Sequence, residues 1–322
     1  MAITAAQVKE LREATGAGMM DCKKALTETN GDMDAAVEVL RKKGQAKAEK
    51  KASRIAAEGI CLIATDGDSK AAVVEVNSET DFVAQNEKFR TYVAKVAEQA
   101  LKTEAKDINA FLAEPWIEDA SKSVNDALVD MIAVISEKLS IRRFEQVTAQ
   151  DGCVVSYLHG KGRIAVIVDA KTAVVNDAVR EALTNVAMQV AAMSPRYVNV
   201  DEVPEEYKEH EKEILLAQAI EENAKLPEKK RKPQNIIEKM LIGRLNKEMK
   251  EICLYDQVYV RAEDGKQTVG QYLQQVGKAN GTDLSVRRFV RYAPNDSYVD
   301  SYIHMGGKVG VLVELSGAEV ND

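Results

Sequence analysis

The sequence predicts an α+β protein, and three observations carry that expectation. The first is an internal repeat. Residues 139–177 align with 284–322 without a gap, at an offset of 284 − 139 = 145, with 17 identities in 39 positions. Leu139-Ser140-Ile141-Arg142-Arg143-Phe144 matches Leu284-Ser285-Val286-Arg287-Arg288-Phe289, and Ser156-Tyr157-Leu158-His159 matches Ser301-Tyr302-Ile303-His304. The duplicated unit reads as strand, hairpin, strand. The second observation is a set of three short stretches with helical spacing inside residues 4–44. The third is a long charged stretch over 205–252, helical on both sides of Pro227 and Pro233, which predicts a protruding antiparallel helical hairpin.

From the N-terminus, Thr4 and Gln7 form a capping box ahead of Val8 and Leu11. Gly16-Ala17-Gly18 ends that helix. Met20 to Thr29 continues at helical spacing through Ala25 and Leu26, and Asn30-Gly31-Asp32 supplies a stop and a new N-cap. Ala36, Val37, Val39 and Leu40 give a third apolar face, expected to end at Gly44. A three-helix unit of this size resembles the ubiquitin-associated fold. Residues 41–54 hold seven Lys or Arg and read as a solvated helical linker. Gly59–Thr65 and Ala71–Asn77 form a strand pair around the turn Asp66-Gly67-Asp68. Helices are expected over about 86–102 and 121–138, separated by Pro115 and Trp116. A further helix over 178–194 stops before Pro195, and another over 267–280 precedes the strand 284–292. The tail 293–322 partially repeats 148–177, with a hairpin expected around Gly306-Gly307.

Composition excludes several classes of function. A net charge of −7 and a pI near 5.3 repel phosphate, so direct nucleic-acid binding is not expected. No run of 18 apolar residues is present, and the first residues lack a basic-then-apolar signal pattern, so a cytoplasmic protein without membrane association is expected. Cys22, Cys61, Cys153 and Cys253 are scattered without a C-x-x-C pair, which suits a reducing compartment. His159, His210 and His304 are far apart and make no metal-ligand spacing. Gly16-Ala17-Gly18-Met19-Met20-Asp21 mimics a dinucleotide fingerprint, but no strand precedes it and Asp21 stands at the third glycine. Gly160-Lys161-Gly162 is not a phosphate-binding loop either, because the required G-x-x-x-x-G-K-[ST] pattern is missing. No cofactor is therefore expected.

One segment stands out. Ala71-Ala72-Val73-Val74-Glu75-Val76-Asn77-Ser78-Glu79-Thr80-Asp81-Phe82-Val83 runs from an apolar strand straight into an acidic tip that carries a phenylalanine. Strand ends are normally finished with Gly, Asn, Asp and small polar groups. Phe82 either folds back under its own sheet or is offered to a partner. Met19 and Met20 are adjacent on a helix, so they cannot share one face, and Met suits adaptable contact surfaces. His159 falls at a hairpin turn, either as an ordinary polar turn residue or as a contact group.

The segment Leu11-Arg12-Glu13-Ala14-Thr15-Gly16-Ala17-Gly18-Met19-Met20-Asp21-Cys22-Lys23-Lys24-Ala25-Leu26, taken with the Val76–Val83 motif, resembles bacterial elongation factor Ts. The resemblance runs from residue 2 to about residue 292. It implies a non-enzymatic guanine nucleotide exchange factor acting on elongation factor Tu, in its GDP-bound and nucleotide-free forms. It implies residues 1–54 as a ubiquitin-associated-like domain with its basic linker, and 55–138 and 139–292 as two related α+β core subdomains with antiparallel sheets. The second subdomain carries the helical hairpin of about 205–252 as a coiled-coil excursion, and 293–322 form an atypical tail. A dimer of the heterodimer is a further assembly it allows. The tip Thr80, Asp81, Phe82 and Val83 would enter the partner's nucleotide domain near its magnesium site. Arg12, Met19, Met20 and Lys23 would contact the same domain, and His159 would brace another part of the partner. Ile135 and Val260 match positions of apolar contact, although each reads more simply as a core residue.

The sequence also departs from the family. Ser136 stands where glycine is usual, Gln189 where histidine is common, and Ser78 replaces a frequent cysteine. The repeat-like tail replaces the usual Gly-Glu-Gly-Ile-Glu and short terminal helix. Two other classes of function remain: a ubiquitin-associated-like binding module insensitive to nucleotide state, and a Cys or His hydrolase, for which no Cys–His–carboxylate arrangement is visible.

Overall fold

The computed structural model describes residues 3–294, together with the backbone of strands Val299–His304 and Val309–Glu314. The chain divides into two compact units. The first comprises residues 1–146, 158–165 and 292–322, and the second residues 147–157 and 166–291.

The first unit opens with helices α1 (Ala5–Thr15), α2 (Met19–Glu28) and α3 (Met33–Lys51). Thr4 and Gln7 form the expected reciprocal cap, and Asp32 caps α3 through the N–H of Ala35. Val8, Leu11, Cys22, Ala25, Leu26 and Ala36 close the bundle core. Helix α3 does not end at Gly44. It runs on through the basic stretch to Lys51, with Gly44 buried in its middle, where a Cβ would meet the Cβ of Ala133 at an ordinary contact distance of 3.5 Å. The residue read as a stop lies inside the helix.

Strands β1 (Glu58–Asp66) and β2 (Lys70–Ser78) pair antiparallel from Glu58 opposite Ser78 to Asp66 opposite Lys70. A single turn, α4 (Asp81–Ala84), follows, and then α5 (Glu87–Lys102). The stretch between the two predicted helices holds more than a break: a short α6 (Ile108–Ala113) and a small ribbon of β3 (Pro115–Trp116) with β4 (Asp119–Ser123). Helix α7 (Val124–Ile135) is capped by Ser123 and ends at Ser136 in the left-handed conformation. Strand β5 (Ser140–Thr148) completes a three-stranded sheet in the order β1-β2-β5. Phe89, Tyr92, Val93, Phe111, Trp116 and Leu128 build the core beneath it.

The second sheet has the order β6-β7-β8, from β6 (Gly152–His159), β7 (Ile164–Lys171) and, much later, β8 (Ser285–Tyr292). Helix α8 (Asp177–Met193) follows β7. The helical hairpin is α9 (Glu205–Ala224) with α10 (Gln234–Ile252), rooted in a small core of Val203, Met249 and Cys253. Helix α11 (Val269–Ala279) leads into β8. The tail strands β9 (Val299–His304) and β10 (Val309–Glu314) pair with each other. The expected Gly306-Gly307 turn lies outside the described residues.

The repeat has a structural meaning. Each three-stranded sheet is a hairpin plus a third strand that joins its second strand: β5 on β2, and β8 on β7. The matching residues Arg142 and Arg287 sit on those third strands. Arg142 Nη1 reaches the buried Glu75 carboxylate on β2, and Arg287 Nη1 reaches the buried Asp169 carboxylate on β7, both at 3.2 Å.

Candidate partner-binding site

The tip of the first unit begins where β2 ends. Thr80 is extended (φ −128°, ψ 153°), and its hydroxyl accepts the N–H of Val83, capping α4. Val83 and Ala84 turn inward to the core, leaving Asp81 and Phe82 outward. Phe82 is 81% exposed, against 0% for the core residue Phe89. The choice left open by the sequence is thereby resolved: the ring is not folded under its own sheet. Its position depends wholly on the backbone of α4, since little packs around it.

That backbone is anchored at its start and its end. At the start, one Glu137 carboxylate oxygen accepts the N–H groups of Glu79 and Thr80, each at 3.1 Å, and the other accepts the Thr80 hydroxyl at 2.7 Å. In return, Glu79 accepts the N–H of Lys138 and pairs with Arg54 at 3.2 Å. The Lys138 amide, with help from Arg54, draws the Glu79 carboxyl below the usual carboxylate range. At the other end of α4, Arg90 on α5 donates to the carbonyl of Ala84 (3.4 Å) and to that of Lys161 (2.8 Å). Lys161 lies in the β6–β7 hairpin tip, which belongs to this same unit.

The hairpin tip is fixed on β1. The N–H of Cys61 donates to the carbonyl of Gly162 at 2.8 Å. Gly162 has φ +104°, and a Cβ there would stand 2.9 Å from the Cys61 carbonyl oxygen. Glycine is required both for the backbone angle and for the close approach. This packing gives the Gly160-Lys161-Gly162 run a structural role. His159 is exposed at the same turn, where its carbonyl accepts the N–H groups of Gly162 and Arg163. A cavity of about 530 Å³ opens between the two tips, lined among others by Asp81, Gln85, Arg90, Lys161 and Arg163.

On the bundle, Met19 and Met20 are both outward, at 58% and 61% exposure, because α2 turns Cys22, Ala25 and Leu26 into the core. Neither methionine is a core residue. Arg12 and Lys23 are exposed as well. Asp21 is tied to Lys47 at 2.9 Å, and that bond lowers its carboxyl from the usual range. Ile135 is half-buried against the main core, two residues before Glu137.

Val260 belongs to the second unit, where it is 51% exposed rather than part of the core. Its N–H donates to the side-chain oxygen of Gln189 at 2.8 Å, and the Gln189 amide donates in turn to the carbonyl of Val258 at 3.1 Å. Gln189 is fully buried and thus shapes the loop that presents Val258 and Val260.

The structure therefore gathers Thr80–Val83, Ile135 and His159 around one framework through Glu137 and Arg90. It sets Arg12, Met19, Met20 and Lys23 on the helical bundle and Val260 on a separate unit. Sequence reasoning missed Glu137 and Arg90, and noticed Glu79 and Gln189 without their supporting roles, because each acts across a gap in sequence that carries no local signal. Among the described residues, no group of three or more His, Cys, Asp or Glu is placed to hold a metal ion, and no helix is long and apolar enough to cross a membrane.

The arrangement offers contact groups on a rigid support, and the comparison with known proteins gives it a class. The family model described as Elongation factor TS matches residues 79–293. Elongation factor Ts of Clostridium tetani is 46% identical over 291 residues, covering 90% of this chain and 92% of that protein. Its counterpart in Clostridioides difficile is 49% identical over 291 residues, with the same coverage, and that of Clostridium perfringens is 43% identical over 314 residues, covering 95% of this chain and all of that protein. These are translation elongation factors. The chain belongs to the elongation factor Ts family.

Proposed function

We propose that this protein promotes GDP release from elongation factor Tu, with no chemistry of its own. The observation that carries the reading is the exposed Phe82 beside Asp81 on a one-turn helix anchored at its start and its end. An apolar ring with a neighbouring carboxylate suits insertion beside a magnesium site, where a G protein holds GDP partly through the ion and its water shell. Exchange then follows from linkage: a factor that binds the empty partner more tightly lowers the partner's nucleotide affinity by the same factor.

Magnitudes argue for a distributed grip. Accelerating release about 10⁴-fold requires lowering the barrier by roughly 5.5 kcal/mol. Burying one Phe supplies about 1.5–3 kcal/mol. The remainder falls to the other surfaces: Arg12, Met19, Met20 and Lys23 on the partner's nucleotide domain, Thr80, Val83 and Ile135 around the tip, and His159 and Val260 bracing other parts of the partner. The two core subdomains, 55–138 and 139–292, would each carry part of this grip. The working compartment is the cytoplasm, and the partner is engaged in its GDP-bound and nucleotide-free forms.

The test is stopped-flow release of fluorescent GDP from elongation factor Tu. The expected result is a large acceleration that depends on the concentration of this protein and falls at least tenfold in Phe82→Ala. Because Phe82 is exposed, that variant should melt at the wild-type temperature, surface substitutions typically changing stability by about 0.5 kcal/mol or less. Wild-type exchange rates in the Asp81→Ala, Phe82→Ala double variant would rule the wedge out.

A further inference from the structure

We infer that Glu137 is a positioning residue for the exchange tip: it holds Thr80 so that Asp81 and Phe82 are presented in one orientation. The inference rests on the exchange reading above and adds to it a residue that does not touch the partner's nucleotide.

The geometry is specific. A four-residue helix is a single turn and has little stability of its own. Its cap is the Thr80 hydroxyl, which accepts from the Val83 N–H at 3.4 Å. That same hydroxyl donates to Glu137 at 2.7 Å, so Glu137 fixes the direction from which Thr80 caps the turn. The two backbone N–H groups leading into the turn, from Glu79 and Thr80, converge on the other oxygen of the same carboxylate. Three donors on one carboxylate are charge-assisted bonds, stronger than neutral ones. Ser78 adds a bond to the Thr80 carbonyl at 3.0 Å. Glu137 follows Ser136, whose left-handed backbone (φ 67°) turns the chain out of α7. The segment after α7 and the tip are therefore tied through the Glu137 side chain, across the 57 residues that separate it from Thr80.

Chain length and charge make separable demands on this residue. A glutamine keeps the reach, an acceptor for the two N–H groups and an amide that can donate to the Thr80 hydroxyl, but it loses the charge. An alanine leaves two backbone donors and the hydroxyl without their partner. The expected order of function is Glu137, then Glu137→Gln, then Glu137→Ala.

The experiment is the stopped-flow GDP-release assay with full-length protein over a range of concentrations. Maximal rate and half-saturating concentration are read separately, and thermal melts are run in parallel. Glu137→Ala is expected to lower the maximal rate about tenfold, the scale of one charge-assisted hydrogen bond, with the half-saturating concentration changed less than about threefold. Glu137→Gln should recover most of that loss. In the Phe82→Ala background, Glu137→Ala should have almost no further effect, as expected of two residues acting as a unit. Should Glu137→Ala fail to fold, Glu137→Asp, which keeps the charge but is one methylene too short to reach all three donors, carries the same comparison. A wild-type maximal rate in Glu137→Ala, or a full tenfold loss added on top of Phe82→Ala, overturns the inference while leaving the exchange reading intact. A wild-type protein that does not accelerate GDP release brings down both.

Discussion

Arg143 donates through Nε to the fully buried carboxylate of Glu75 at 2.7 Å, and its guanidinium lies over the ring of Tyr292, 4.0 Å from the centroid. Arg142 reaches the other oxygen of Glu75 at 3.2 Å. One acidic residue in the centre strand thus fastens its neighbour and, through Arg143, the segment at Tyr292. Removing Glu75 leaves two arginine charges without their shared carboxylate, a loss softened by their partial exposure and so below the roughly 3–5 kcal/mol of a fully buried pair. Glu75→Ala should therefore lower the melting temperature of the first unit strongly, whereas Asp81→Ala, at an exposed carboxylate, should not. Differential scanning calorimetry of the two variants checks this.

Ser136 adopts φ 67° and ψ 20° at the end of α7, a conformation that favours glycine. Its N–H bonds to the Ile132 carbonyl, and the residue is exposed. Ser136→Gly should stabilise the protein by about 1 kcal/mol by relieving the left-handed backbone. A chemical denaturation midpoint unchanged or lowered in that variant would contradict the assignment of strain at this position.

Acid should weaken the first unit. The Lys47 ammonium beside Asp21, the Lys138 amide at Glu79 and the Ser123 amide with Arg41 at Asp126 all hold these carboxyls below their ordinary range. A carboxyl lowered in the folded state adds stability that is complete above its unfolded pKa and is lost as pH falls through the lower folded value. Melting temperature should stay flat from neutrality down to about pH 5 and fall below about pH 4. Asp126→Asn should shrink that fall, as measured by melts across the pH series.

All four cysteines are buried in the native protein. Burial raises the Cys22 thiol and pushes Cys253 up to about 11. The thiolate is the reactive form, so these groups should be inert at neutral pH. Ellman's reagent should titrate close to zero thiols in the native protein and four after unfolding in guanidinium. Rapid reaction of one thiol in the native state would refute this.

Much of the architecture was legible because it is written in local periodicity. The nearly continuous apolar run from Ala71 to Val76, the Asp66-Gly67-Asp68 turn and the fixed offset of 145 marked the strands, and Thr4 with Gln7 marked the first helix start. Gly44 misled because an isolated glycine is tolerated inside a helix, and no local pattern separates that case from a stop. The α6 and β3–β4 segment was missed because each piece is too short to show a period. At the site, the acidic tip and its phenylalanine were visible as an anomaly in composition. The one-turn helix that aims them was not, because its cap Thr80 is stabilised by Glu137 from another part of the chain.

The first unit is assembled from stretches that leave the ribosome far apart in time. The side-chain amide of Asn77 donates to the carbonyl of Pro294, at a separation of 217 residues, and Cys61 waits for Gly162. At about 5–20 residues per second, roughly 10–45 s pass between synthesis of Asn77 and of its last partner. The β2 edge is closed early, once β5 at Ser140–Thr148 has been made, and Gly162 follows soon after. The bond from Asn77 to Pro294 is the tie that must wait for nearly the whole chain, so the first unit folds in outline early and is completed late.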